Sequence, residues 1–403
     1  FNNKKGGKME KRTIRCYLGL SFLTKFGISF IAAVYATFLM SQGLNLFLVN
    51  MVNFVFFITM FICEIPTGAV ADVFGRKISF VCSCFLYAIG MFIYAGSHSF
   101  FGFALAEMIA AVGRTFASGA FQAWLVDCVR HQGYGGSLNL VFSKEQQLGQ
   151  LGLIIGAICG AFLADKNMAL PWVVAGFIML VAGIAAMLLM KEEYFVKQNF
   201  SIKNGFLAMK NTAVASFTYG MKHKVVRFVL VLAVIQFFAV QAPNMQWQPF
   251  FSQFLSNKTQ LGFVFALIAI AMGVGSALAP WFLKKTKSEE KALLVSQAII
   301  GVGVIATVLF GWFPAALSMF IVHEMARGLF KPIKDVYLND HIPSKERATL
   351  ISFESLFAHI GGAIGLFVSG LMAEKISIPF TWVFSGAVLI CSSLWLMKNL
   401  SKK

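Results

Sequence analysis

Charge is what this sequence has least of. Only 13% of its 403 residues are Asp, Glu, Lys or Arg, against about a quarter in a soluble domain, and the mean hydropathy is +0.75. A water-soluble globular protein is thereby excluded. The seven cysteines fall in apolar runs or at their basic ends, so neither a disulfide framework nor a metal site is read from them. Cys82 and Cys84, two apart, would not face each other on a helix. The chain also lacks a paired nucleophile and base, a metal cluster and a phosphate-binding loop, which argues against an enzyme and against any cofactor. No cleavable signal precedes the first apolar run; the opening FNNKKGGK has no initiator Met, and Met9 reads as the natural start after a foreign remnant.

What the chain has in abundance is long apolar runs. Stretches of about 20 residues, the length a helix needs to cross roughly 30 Å of hydrocarbon, recur throughout. Only helices and closed barrels satisfy their backbone in lipid, and these runs are too long for barrel strands. The reading is an all-α, multi-pass membrane protein with twelve spans at 14–40, 46–70, 78–97, 100–126, 144–165, 168–190, 224–252, 259–283, 292–311, 313–336, 348–373 and 378–398. One long connection, 191–222, is mixed in charge and partly amphipathic. It reads as a cytoplasmic linker with a surface helix between a six-helix bundle at 1–190 and another at 223–403.

The net charge of +17 could serve nucleic acid, but its distribution follows topology instead. Lys and Arg gather in alternate connections: Lys4 to Arg15, Arg76 and Lys77, Arg130 and Lys144, Lys191 to Lys224, Lys284 to Lys291, Lys345 and Arg347, and Lys398 to Lys403. The connections between them hold little beyond Lys166, Lys258 and Lys375. By the positive-inside rule the basic set is cytoplasmic, which places both termini there.

The two halves repeat. At an offset of 209, Ser143, Glu145, Gly152, Ile155, Gly156 and Ala164 of helix 5 match Ser352, Glu354, Gly361, Ile364, Gly365 and Ala373 of helix 11, and Asp165 falls on Glu374. Helices 4 and 10 match at 213, where Arg114, Trp124, Leu125 and Asp127 fall on Arg327, Tyr337, Leu338 and Asp340. Helices 1 and 7 match at 212, where Arg15, Tyr35 and Phe38 fall on Arg227, Trp247 and Phe250. Six spans separate the copies, so each pair runs in the same direction, a parallel repeat about an axis along the membrane normal.

Polar residues concentrate in helices 1, 4, 7 and 10. A charge at the bilayer centre costs about 2.5 to 3.5 kcal/mol even on lenient scales, so such groups should face a polar path or one another. Lys25, Arg114, Gln241, Asn244, His323 and Arg327 are the candidate substrate-cavity residues, and Glu107 and Glu324 the candidate proton carriers. Glu107 and Arg114, seven apart, share a helix face about 10 Å apart along the axis. The competing reading is that each Arg is neutralised by its own Glu to hold helices together. Tyr35, Trp247 and Phe250 read as packing or interfacial residues.

The stretch GAVADVFGRK after the second run, with Gly68, Asp72, Gly75, Arg76 and Lys77 in the pattern G-x-x-x-D-x-x-G-R-K, resembles the signature loop of the major facilitator superfamily of transporters. The resemblance extends over essentially the whole chain. It implies two pseudo-symmetric six-helix bundles working by alternating access. It also implies a cytoplasmic latch in which Asp72 and Arg76 meet the ends of helices 4 and 11, here Asp127 and Glu354. RTFASGA from Arg114 is similar to the family's second motif. Gly152, Gly156 and Gly160 are similar to its antiporter motif, but Ala157 and Ala161 replace the Pro and the last Gly, which weakens the case for proton antiport. Glycines four apart equally serve close helix packing. EIPTG, SGAFQAWLVD and IPSKERATLIS resemble a bacterial branch described as drug or metabolite exporters.

The expected function is therefore secondary transport of a small solute across a bacterial cytoplasmic membrane by a monomer, with protons as the coupling ion. Lys25, Arg114 and Arg327 outnumber Glu107 and Glu324, which favours an anionic or zwitterionic solute such as a carboxylate metabolite or siderophore. The rivals are a broad multidrug/proton antiporter and a transport-dead sensor or lipid-handling protein on the same scaffold. If Asp72 serves the latch, Asp72→Asn leaves substrate binding nearly intact and slows turnover; lost binding with normal exchange rates would contradict that role.

Overall fold

The computed structural model describes residues 2–192, 194–195, 224–341 and 344–400. Residues 193 and 196–222 of the expected linker and its surface helix lie outside these, as does the side chain of Asp72. Among the described residues the chain forms fourteen helical segments and no strand. They are α1 (Asn2–Ser29), α2 (Tyr35–Ser41), α3 (Leu46–Phe74), α4 (Arg76–Gly96), α5 (Phe100–Ala117), α6 (Ala120–His131) and α7 (Leu138–Lys166). The series continues with α8 (Leu170–Leu189), α9 (Lys224–Ser252), α10 (Lys258–Thr286), α11 (Glu289–Leu309), α12 (Phe313–His341), α13 (Ser344–Lys375) and α14 (Ile378–Leu400).

Ten of these, with α5 and α6 taken together, are long and apolar enough to cross a membrane. The expected first and tenth spans, α1 with α2 and α12, fall outside that set. Both carry charge within their length, α1 holding Lys25 and α12 holding Glu324, Arg327, Lys331, Lys334 and Asp335.

Packing divides the chain into two units. The first is Phe1–Gly43, Val55–Ala208 and Ser256–Ala266; the second is Leu44–Phe54, Met209–Leu255 and Leu267–Lys403. The division differs from a simple cut in the linker because the first turns of α3 pack with the second unit and those of α10 with the first. Within unit 1, α1 lies along α7 and α8, and α4 along α5 and α8. Within unit 2 the same scheme recurs: α9 lies along α13 and α14, and α11 along α12 and α14.

Small residues set these seams, because lipid tails are as apolar as leucine and helices associate in membranes through close packing. A Cβ added to Gly156 would stand 2.4 Å from the Phe26 carbonyl oxygen, and one on Gly160 1.8 Å from that of Phe30. In unit 2 a Cβ on Gly361 would stand 2.4 Å from Val234 O, and one on Gly365 2.3 Å from Phe238 O. Phe26 and Phe238 are mates at 212, and Gly156 and Gly365 at 209. Aromatic packing repeats as well. Phe38 lies 3.9 Å from the fully buried Trp172, and its mate Phe250 lies 4.8 Å from the fully buried Trp382.

The breaks in the helices repeat too. Between α1 and α2 the chain turns through residues 30–34, and Ile31 there is the mate of Pro243 inside α9. Between α5 and α6 it turns at Gly119, whose φ of +70° suits glycine. Gly119 is the mate, at 213, of Pro332 inside α12. One repeat interrupts its helix where the other places a proline that withholds a backbone donor.

Gly160→Ala should lower stability by about 1–3 kcal/mol, the usual cost of overpacking, read as a lower unfolding temperature of the purified protein. Gly19→Ala, where an added Cβ meets nothing within 4 Å, should leave it unchanged or slightly raised. An equal fall in both variants would show that close approach does not set the α1–α7 seam.

Candidate functional site

In unit 1, Lys25 projects from α1 toward α7. Its Nζ is 2.5 Å from Glu145 Oε1, and Ser21 Oγ donates to the same oxygen at 2.5 Å. The lysine side chain is 41% exposed and that of the glutamate 11%. Glu145 was not among the expected site residues. Its sequence signal was its match to Glu354 in the repeat, and its presence corrects the expected charge balance. Lys25, Arg114 and Arg327 now stand against Glu107, Glu145 and Glu324, so the surplus of cations disappears.

Glu107, on α5, is buried. Tyr35 OH donates to its Oε1 at 2.7 Å, and Tyr94 OH lies 3.3 Å from Tyr35 OH. Tyr35, expected to be a packing residue, is therefore a polar partner. Phenolic hydroxyls can bond a carboxyl group in either protonation state, as donors to the charged form or acceptors from the neutral one. Glu107 does not pair with Arg114, which is exposed, and whose side chain makes no hydrogen bond or ion pair among the described residues.

The inner end of unit 1 is tied by the GAVADVFGRK loop. Arg76 pairs with Asp127 of α6, while Glu354, also expected in the latch, pairs with Lys334. Gly75, with φ +99°, occupies a backbone region that L side chains rarely adopt, and a Cβ there would meet Glu192 Oε2 at 2.6 Å. Glu192 fills that space and caps α4, accepting Arg76 N–H at 2.8 Å and Lys77 N–H at 3.1 Å. A helix start offers unpaired N–H groups and the positive end of its dipole, so one carboxylate answers both. Burial, with the Glu192 carboxylate beside it, holds the Tyr194 hydroxyl above the ordinary phenol range. Glu192 had no periodic or repeat signal, and in the sequence it is one of several charges in a linker. Gly68 is exposed and Lys77 half-buried.

In unit 2, Arg327 Nη1 donates to both carboxylate oxygens of Glu324 at 2.8 and 3.0 Å. The expectation that an Arg is neutralised by its own Glu thus fits this repeat and not the other. Glu324 stands three residues before Arg327, one helical turn away, whereas the residue three before Arg114 is Ala111. Glu107, seven before, is two turns away.

His323 is fully buried. Its Nδ1 lies 2.9 Å from Ile300 O, its ring stacks on Phe320, and its Nε2 stands 4.0 Å from Glu324 Oε1. That places it in the packing between α11 and α12 rather than on a solvent-reached wall. Glu354 pairs with Lys334 of α12 at 2.8 Å, both largely buried. The repeat-mates Glu145 and Glu354 are therefore neutralised by lysines from different helices. Among the α9 amides, Gln246 is structural, donating to Ser369 O at 3.1 Å and accepting from Trp382 Nε1 at 3.1 Å. Gln241 is buried and Asn244 half-buried. No group of three or more His, Cys, Asp or Glu side chains that could hold a metal ion occurs among the described residues.

Comparison with known proteins identifies the family. The family model described as Major Facilitator Superfamily matches residues 17–322 and 239–403. The uncharacterized MFS-type transporter YxaM of Bacillus subtilis is 25% identical over 369 residues, covering 90% of this chain and 89% of its own. Multidrug resistance protein 2 of the same organism is 22% identical over 400 residues, covering 96% and 95%. Among solved structures, the nucleoside transporter NupG superposes with a TM-score of 0.79 at 14% identity, over 97% of this chain and all of that one. With its packing scheme repeated in two units and the family model matched along nearly its full length, this chain belongs to the Major Facilitator Superfamily and is a multi-pass membrane transporter rather than an enzyme.

Proposed function

We propose that the chain carries a small anionic or zwitterionic organic solute across a bacterial cytoplasmic membrane by proton-coupled alternating access. The observation that carries this reading is Arg114. It is exposed and has no carboxylate partner among the described residues, while its repeat-mate Arg327 is neutralised by Glu324. A guanidinium presents a planar fork of donors suited to a carboxylate or phosphate, and Arg114 is the one of the two with that fork unengaged by an ion pair. The anionic preference therefore rests on one unneutralised cation, and no longer on a surplus of cations.

The proton carriers divide the work by their partners. Among the described residues Glu107 has only hydroxyl partners, so it can take up or lose a proton without breaking an ion pair. Glu324 is held by Arg327. A solute carboxylate that competes for that guanidinium would release Glu324 to accept a proton, linking solute binding to protonation. A second reading, broad multidrug/proton antiport, is favoured by the likeness to a multidrug resistance protein. The two part over charge: an antiporter of lipophilic cations has no use for an unpaired arginine.

A thermal-shift screen of the purified protein against metabolites and drugs, run at two pH values, identifies ligands because binding to the folded state alone raises its stability. An organic anion or zwitterion should be among the stabilisers. Arg114→Gln should weaken its binding by about 10- to 100-fold, the loss of one charge-assisted hydrogen bond, with Arg114→Lys intermediate. Specificity confined to permanently cationic drugs would overturn the anion reading. In proteoliposomes carrying that ligand, Glu107→Gln should abolish uphill accumulation driven by a pH gradient while leaving solute exchange. Gradient-driven accumulation that survives both Glu107→Gln and Glu324→Gln would remove these residues from coupling.

A further inference from the structure

A cavity that the transport reading does not use lies wholly within unit 1. Its walls come from the start of α1, the second half of α6, the end of α8 and the residues that follow α8. None of the candidate substrate-path residues lines it, and none of its described lining residues is Asp or Glu. Three of them are basic and exposed: Arg12 of α1, His131 of α6 and Lys191 after α8. The cavity measures about 150 Å³, a size that admits a six-membered ring. Cations gathered around a hollow repel one another, and an anion seated among them relieves that repulsion.

Polar contacts brace the walls. The buried Trp124 donates its Nε1–H to Lys191 O at 3.0 Å, which fixes the lysine's backbone beside α6. Gln132 Nε2 donates to Thr13 Oγ1 at 3.1 Å and lies 3.4 Å from Cys128 Sγ. Tyr194 OH lies 3.5 Å from both Trp124 O and Glu192 Oε1, so the same wall reaches the carboxylate that caps α4. Unit 2 builds the equivalent place differently. Val225, the mate of Thr13, and Tyr337, the mate of Trp124, pack into an apolar cluster with Leu338 and Leu396. Tyr337 OH donates to Glu290 at 2.7 Å, a carboxylate of the unit itself. The repeated scaffold therefore does not demand a polar hollow at this place, and the one in unit 1 comes from its own side chains.

We propose that this cavity is a binding site for a phosphate group, separate from the solute path, with Arg12 and Lys191 as its cationic contacts and His131 as a further donor. The guanidinium fork matches phosphate oxygens in pairs, and the ammonium adds a compact charge beside it. The phosphate can belong to a soluble anion or to the headgroup of an anionic phospholipid, and the recognising chemistry is the same. Lys191 and Tyr194 flank Glu192 in sequence. An occupied site therefore steadies the segment whose carboxylate holds the first N–H groups of α4.

Hydrogen–deuterium exchange of the full chain in phosphate-free maltoside micelles tests this. One arm adds inorganic phosphate at constant ionic strength; the other adds phosphatidylglycerol, with a neutral glycolipid as its control. Binding should slow exchange in residues 9–13, 128–132 and 189–192, and with them in residues 76–79. Protection by inorganic phosphate identifies a soluble anion, protection by phosphatidylglycerol alone identifies a headgroup, and either supports the site. Arg12→Gln and Lys191→Gln should each raise the half-saturating amount about fivefold, the weight of one basic residue beside an anionic group, with Arg12→Lys intermediate. Both residues are exposed, so neither substitution removes buried packing. Lys284→Gln with Lys285→Gln, which removes two basic residues of unit 2 that do not line the cavity, should leave protection unchanged. Protection in neither arm, or protection weakened as much by the Lys284 and Lys285 pair as by Arg12→Gln, would overturn the proposal. No solute flux enters these measurements, so their outcome is independent of the transport reading.

Discussion

The constraint on which the rest depends is that a charge inside hydrocarbon must find a partner there. Lys25 meets Glu145, Arg327 meets Glu324, Lys334 meets Glu354, and Glu107, with no ion-pair partner among the described residues, is held by Tyr35 with Tyr94 behind. Each pair fixes two helices, or two turns of one helix, and takes away the freedom either group would have to bind a solute. The groups left over are then the informative ones, and Arg114 stands out because the same argument that pairs its neighbours leaves it exposed.

The duplication has been kept where packing needs it and lost where chemistry differs. Glycine seams, buried Phe–Trp pairs and helix breaks recur at offsets between 209 and 213. Backbone approach and volume are shape requirements, and a symmetric bundle imposes them twice. The ionisable groups are not repeated in the same way. Ala111 stands where the second repeat has Glu324, Phe237 where the first has Lys25, and Phe121 where the second has Lys334. Near-identical scaffolds therefore carry different charges, which gives each repeat its own part in binding and coupling.

The GAVADVFGRK loop shows how a short motif depends on a distant residue. Gly75 is needed both for its positive φ and for the space that Glu192 enters. Arg76 is used twice, its guanidinium by Asp127 and its backbone by Glu192. The motif alone names the loop, and the return of the chain after α8 completes it.

Much of the fold is legible in the sequence. Scarce charge, apolar runs of membrane length, basic residues in alternate connections and repeats near 210 follow from the free-energy cost of polar groups in lipid and from the volume that two copies of one bundle must share, and these are properties of composition and spacing. The Arg76–Asp127 pair is legible through the motif, and the Arg327–Glu324 pair through its one-turn separation. The partners that sequence reasoning misses, Glu145 for Lys25, Tyr35 for Glu107 and Glu192 as the cap of α4, are joined across 72 to 120 residues. No helical period connects such positions. Which carboxylate a buried group meets is decided by which helices lie side by side and how deeply each side chain sits between them. Sequence determined that charges would need partners, and the tertiary structure alone decided which partners they received.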